Sequence, residues 1–133
     1  FFLQPEKILF PGDAAGLMDP DGTVRPLFFS NYINYENSLK RLIKLEAEVL
    51  ALPHNKFIKG RDKVDQYLNN SLEITRTAGQ EIADYLNKGL NSIEIAEILY
   101  SQKFAKASFM GPRDAVMINL KSMVNSVSIK QNN

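Results

Sequence analysis

The chain has 133 residues, enough for one domain that buries roughly two-thirds of its unfolded surface. Sixteen basic against fifteen acidic residues leave a formal charge of +1, which offers no bulk field for holding a polyanion, so nucleic-acid or membrane binding would need a local patch. The absence of cysteine excludes disulfides and thiolate metal sites and fits a reducing compartment, and no apolar run approaches the roughly 20 residues of a membrane span.

The chain starts at Phe1 inside what reads as a strand, so it is expected to be a piece of a longer protein. FFLQPEKILFPGD predicts two short strands, Phe1 to Leu3 and Lys7 to Phe10, joined by a turn at Gln4, Pro5 and Glu6. GLMDPDGTVRPLFF, with two prolines and two glycines, predicts a long irregular loop from Gly16 to Ser30. Loops of that length usually serve a site. Asn34 is expected to cap a helix from Tyr35 to about Ala47, with Tyr35, Leu39, Leu42, Ile43 and Leu45 at helical spacing. Val49 to Leu52 reads as a buried strand stopped by Pro53, with His54 immediately beyond. Strand, helix and strand in this order predict a βαβ-like layer with its loops at one edge.

Near residue 60 the sequence changes style and becomes helical. Val64, Tyr67, Leu68, Leu72, Thr75, Ala78, Ile82, Ala83 and Leu86 form one stripe, with Gly89 as the C-terminal stop. Asn91 or Ser92 is expected to cap a shorter helix with Ile95, Ile98 and Leu99 inward. Gly111 and Pro112 open a last helix whose inward positions are Val116, Leu120, Met123, Val124 and Val127.

Two residues invite a chemical reading. Asp13 follows an apolar strand and sits directly after Gly12, where the backbone can come close to a bound cation. Its two oxygens could each take one metal. The competing reading is a turn or cap aspartate, since Asp is favoured in both places. His54 is the sole histidine and also leaves the end of a buried strand. Imidazole is the commonest protein metal ligand, although a lone histidine more often has no ligand role.

Taken together, LFPGDAAGL, the helix NSLKRLIKLEAEV, the strand LALPH and the segment GRDKVDQYLNNSL resemble the C-terminal half of a metallo-β-lactamase-like metallo-hydrolase domain. The resemblance covers roughly residues 7 to 72. It implies an α/β fold, with residues 1–60 forming the C-terminal half of a four-layer αβ/βα sandwich and residues 61–133 an α-helical extension. It also implies that Asp13 bridges two metals and that His54 is the last histidine ligand, although Pro53 meets His54 directly where the family usually has a glycine. The two divalent ions would usually be zinc, with iron or manganese as alternatives. They would polarise a carbonyl or phosphoryl oxygen and supply hydroxide for hydrolysis of an ester, thioester, lactam or phosphoester.

The family's H-x-H-x-D-H segment is absent from this sequence. A catalytic zinc needs about three protein ligands plus water, so the chain alone is expected to be inactive without the N-terminal half of the same domain. Phe28, Phe29 and Tyr32, in the loop and at its end, are candidate substrate-facing aromatics, with packing as the competing role. A di-iron, oxygen-reducing branch of the same superfamily is one alternative, disfavoured because nothing after residue 60 resembles flavodoxin.

GLNSIEIAEILYSQ offers a second alternative, a helix-turn-helix-like nucleic-acid module. Against it, the helix from Arg113 to Val127 shows only Arg113 and Lys121 as basic residues, where a recognition helix should display several. The expected partners are therefore a small-molecule substrate, the N-terminal half of the domain and a second copy of the chain, with neither membrane nor nucleic acid. The expected location is cytoplasmic.

Overall fold

In the computed structural model the described residues are 1–53, 56–105 and 111–131, with side chains described to 128. The chain forms two units, one of residues 1–27 and 34–77, the other of residues 28–33 and 78–133.

The first unit is built on a four-stranded sheet in the order β1-β2-β5-β6. Strands β1 (Phe2–Leu3) and β2 (Ile8–Leu9) pair antiparallel, Phe2 opposite Leu9. Their turn closes through Lys7 N–H to the Gln4 carbonyl at 3.2 Å, with Lys7 at φ +52°. Strand β2 then pairs parallel with β5 (Val49–Leu52), Ile8 opposite Val49 and Leu9 opposite Leu50. Strand β6 (Lys56–Lys59) pairs antiparallel with β5 on its other side. Side chains alternate along β5, so Leu50 and Leu52 are buried while Val49 and Ala51 are half-buried.

A parallel pair needs a crossover, and here it contains α1 (Tyr32–Ile43), giving the expected β-α-β order. The helix begins three residues before the predicted Tyr35, so Asn34 lies inside its first turn and is not a cap. It also stops at Ile43 rather than Ala47. Leu45 N–H bonds the Leu42 carbonyl at 3.1 Å, and Glu46 takes a left-handed φ of +54°. Ala47 is only 1% exposed; the chain must leave the helix to seat it beside the sheet.

The stretch predicted as one irregular loop contains a second, two-stranded sheet. Strand β3 (Leu17–Met18) pairs antiparallel with β4 (Val24–Arg25). The hairpin closes through Asp19 N–H to the Thr23 carbonyl at 2.8 Å. At its tip the Asp21 carboxylate accepts from Thr23 N–H at 2.9 Å. Such side-chain turns are what Asp supplies; these two strands lie among two prolines and two glycines, which read as loop.

Helix α2 (Arg61–Asn87) starts where the sequence becomes helical, with Asp62 in its first turn as a carboxylate prefers. Val64, Tyr67 and Leu68 of this helix join Leu9, Leu50, Leu52, Ala15 and Val24 in the core of the first unit. The helix ends as predicted at Gly89, φ +85°. Leu90 N–H reaches the Tyr85 carbonyl and Gly89 N–H the Leu86 carbonyl, the paired bonds of a Schellman stop. Secondary structure thus changes character at residue 60, while the two units divide within α2.

The second unit is helical. Helix α3 (Ser92–Leu99) has a complete capping box, Asn91 accepting from Ile93 and Glu94 N–H while Glu94 accepts from Asn91 N–H. Its buried residues are Ile95, Ala96 and Leu99, with Ile98 half-buried. A π-helical turn, Tyr100–Phe104, follows, and then α4 (Arg113–Gln131). The inward positions expected of α4, Val116, Leu120, Met123, Val124 and Val127, are all buried. No helix among the described residues is long and apolar enough to cross a membrane.

Candidate functional site

Strand β2 ends at Leu9, and Phe10 and Pro11 lead into a 3-10 turn, Gly12–Ala15, that carries Asp13. Gly12 has φ +56°, and a Cβ there would meet nothing within 4 Å. The chain is therefore open beside Asp13. The turn packs against β5, the strand that leads to Pro53. Because β2 and β5 run parallel, the segments leaving their C-terminal ends, one carrying Asp13 and the other Pro53, head toward the same edge of the sheet. His54 lies outside the described residues.

The backbone of the Asp13 turn is held from three directions. The Tyr35 hydroxyl of α1 donates to the Asp13 carbonyl at 3.2 Å and accepts from Leu27 N–H at 3.4 Å. The Ser71 hydroxyl of α2 donates to the Ala15 carbonyl at 2.9 Å. Gly16, at φ +81°, ends the turn so close to the hairpin that a Cβ would lie 2.8 Å from the Arg25 carbonyl. The Asp13 carboxylate itself is exposed, and no hydrogen bond or ion pair engages it among the described residues.

Such free lone pairs suit a cation ligand. The set is incomplete, however, because among the described residues no three His, Cys, Asp or Glu side chains come together to hold a metal ion. Asp13 fits the role of one ligand, and the described residues do not supply the rest.

A second polar cluster lies at the base of the β3–β4 hairpin, and no sequence signal had marked it. Asp19 is 2% exposed, and its Oδ2 accepts from Arg25 Nε at 2.7 Å. Lys56, the first residue of β6, donates to the Met18 carbonyl at 3.0 Å and to the Asp19 carbonyl at 2.5 Å. Lys56 thereby ties the strand that returns after position 54 to the hairpin. The other Asp19 oxygen, Oδ1, is buried without a hydrogen-bond partner among the described residues.

A concave surface among the described residues of this unit lies away from Asp13. A groove of about 490 Å³ is lined by Gly22 and Val24 of the hairpin, Ile58 of β6, and Lys63, Gln66 and Tyr67 of α2; Asp13 is not among its walls.

The aromatics proposed to face substrate occupy different settings. Phe28 is 1% and Tyr32 5% exposed. Their rings meet edge to face at 5.2 Å in the second unit, where Tyr32 also lies over Gly79. Phe29 is half-buried. Burial of this kind is what the packing role requires.

No protein-family model matches the sequence, and no curated protein does. Among solved structures, the fold is similar to that of the stereoselective inverting sec-alkylsulfatase Pisa1 from Pseudomonas sp. The TM-score is 0.55 and the identity 22%, over 93% of this chain and 21% of that one. A double mutant of the same sulfatase gives a TM-score of 0.54 and 23% identity over 98% of this chain and 21% of that one. The chain thus spans about a fifth of the length of the structures it matches. At this identity the likeness concerns the fold alone: an α/β layer followed by a helical extension.

Proposed function

We propose that this chain is part of a metal-dependent hydrolase of the metallo-β-lactamase-like kind, and that its substrate is an ester, with sulfate esters the first class to try. The observation that carries this reading is the parallel β2–β5 pair, which sends the Asp13 turn and the Pro53 segment to one sheet edge. A shared edge at the C-terminal ends of parallel strands is where open α/β sheets place their ligands. The fold likeness to an alkylsulfatase supports the choice of ester.

In this reading Asp13 and His54 are metal ligands, and the remaining ligands come from outside the chain. Bound divalent metal, zinc for preference, supplies Lewis acidity and a hydroxide nucleophile at neutral pH. Asp13 contributes a carboxylate that no group among the described residues engages. The backbone beneath it is held by groups on α1 and α2, so little reorganisation is needed on binding.

The test uses the protein that carries this chain. Asp13→Ala is expected to lower bound zinc, measured by elemental analysis after dialysis, and to abolish hydrolysis of an aryl sulfate. Unchanged zinc content in the variant would end the proposal.

A further inference from the structure

We infer that Tyr35 is a positioning residue for Asp13: its hydroxyl fixes the backbone of the 3-10 turn and so aims a carboxylate that no group among the described residues engages. The inference rests on the ligand role of Asp13 and goes beyond it to the group that sets the ligand's geometry.

Three observations carry it. First, the Asp13 side chain is exposed and unengaged among the described residues. Its direction therefore depends on the backbone from which it projects. Second, that backbone is intrinsically loose on one side, because Gly12 has a left-handed φ and open space around it. Third, the only side-chain hydrogen bond made to the Asp13 backbone among the described residues is the one from Tyr35 Oη at 3.2 Å.

The same oxygen accepts from Leu27 N–H, while Gly16 N–H donates to the same Asp13 carbonyl at 3.1 Å. One hydroxyl thus joins the Asp13 turn to the exit of the β3–β4 hairpin. Tyr35 lies on α1, and its neighbour Glu36 accepts from Arg76 of α2 at 3.0 Å, a bond that does not involve the turn.

Groups that orient metal ligands typically change affinity 10- to 100-fold when removed. The experiment compares Tyr35→Phe, Arg76→Ala and Asp13→Ala in the protein that carries this chain. Zinc affinity is read by competition with a chromogenic chelator, and the unfolding midpoint is read on metal-free protein. Tyr35→Phe keeps the ring and removes only the hydroxyl. Arg76→Ala loosens the same helix without touching the turn.

The expected result is a tenfold or greater loss of zinc affinity in Tyr35→Phe, with Arg76→Ala within twofold of wild type despite its own loss of stability. If Tyr35→Phe weakens zinc no more than Arg76→Ala does, while Asp13→Ala still loses the metal, Tyr35 is merely structural and the ligand role of Asp13 survives. If Asp13→Ala binds zinc as wild type does, both fall.

Discussion

The Ser71 hydroxyl donates to the carbonyl of Ala15, 56 residues away in the chain, across 2.9 Å, and both residues are fully buried. This bond fastens the end of the Asp13 turn to α2, as Tyr35 fastens its beginning to α1. Ser71→Ala would leave the Ala15 carbonyl buried and unpaired, which costs about 1–3 kcal/mol. A urea titration of the variant should show a lower midpoint with an unchanged slope. An unshifted midpoint would mean that the turn is held by other means.

Two glycines of this turn should respond differently to a methyl group. At Gly16 a Cβ would meet the Arg25 carbonyl at 2.8 Å and Ser71 Oγ at 3.2 Å, on a backbone already at φ +81°. At Gly12 only the backbone conformation is unfavourable, since nothing lies within 4 Å. Gly12→Ala should therefore cost about 1–2 kcal/mol, and Gly16→Ala distinctly more. Equal thermal shifts in the two variants would contradict the close approach at Gly16.

Replacing a mid-helix glycine by alanine ordinarily favours the helix by about 1 kcal/mol. Gly79 of α2 should reverse that sign, because its Cβ would lie 2.4 Å from Tyr32 Cε2. Overpacking of this kind costs about 1–3 kcal/mol. Gly79→Ala is expected to destabilise the protein, and pairing it with Tyr32→Leu should recover part of the loss. A stabilised Gly79→Ala would show that the ring yields at no cost.

The Glu36 carboxyl experiences opposing effects. Burial pushes it up, but hydrogen bonds from Lys40 and Arg76 outweigh that and hold it below its ordinary value of 4.5. A depressed folded-state pKa adds stability above the unfolded value, and this is lost as the pH falls through the folded one. Arg76→Ala should thus cost about 0.5–1 kcal/mol at pH 7. The gap to wild type should narrow below about pH 4.5 as Glu36 is protonated. A gap that stays constant from pH 7 to pH 3 would mean that Arg76 acts through packing alone.

Much of the architecture could be read from short stretches of residues. The Gly89 stop, the Asn91–Glu94 capping box and the buried face of α4 each depend on groups within a few positions of one another. So does the β-α-β order, since short apolar runs beside prolines mark β2 and β5 and a helical period marks the element between them. The β3–β4 hairpin was not legible, because its strands are set among prolines and glycines that read as loop, and the start of α1 was not, because Tyr32 packs on Phe28 before the polar pattern begins. The ligand role of Asp13 rests on sequence resemblance, and the described residues neither complete nor displace it.

The residues that hold the Asp13 turn were invisible beforehand for a different reason. Tyr35 reads in sequence as one more apolar position of a helix, and Ser71 as a polar interruption of another. Each acts through a hydroxyl whose partner is 22 or 56 residues distant. Local spacing marks which segments become helix or strand, because helix bonds close within a few residues and apolar runs bounded by turn residues mark the strands. Which hydroxyl meets which carbonyl is decided only when β2 and β5 pair and the helices settle over them, since that partner exists nowhere near it along the chain.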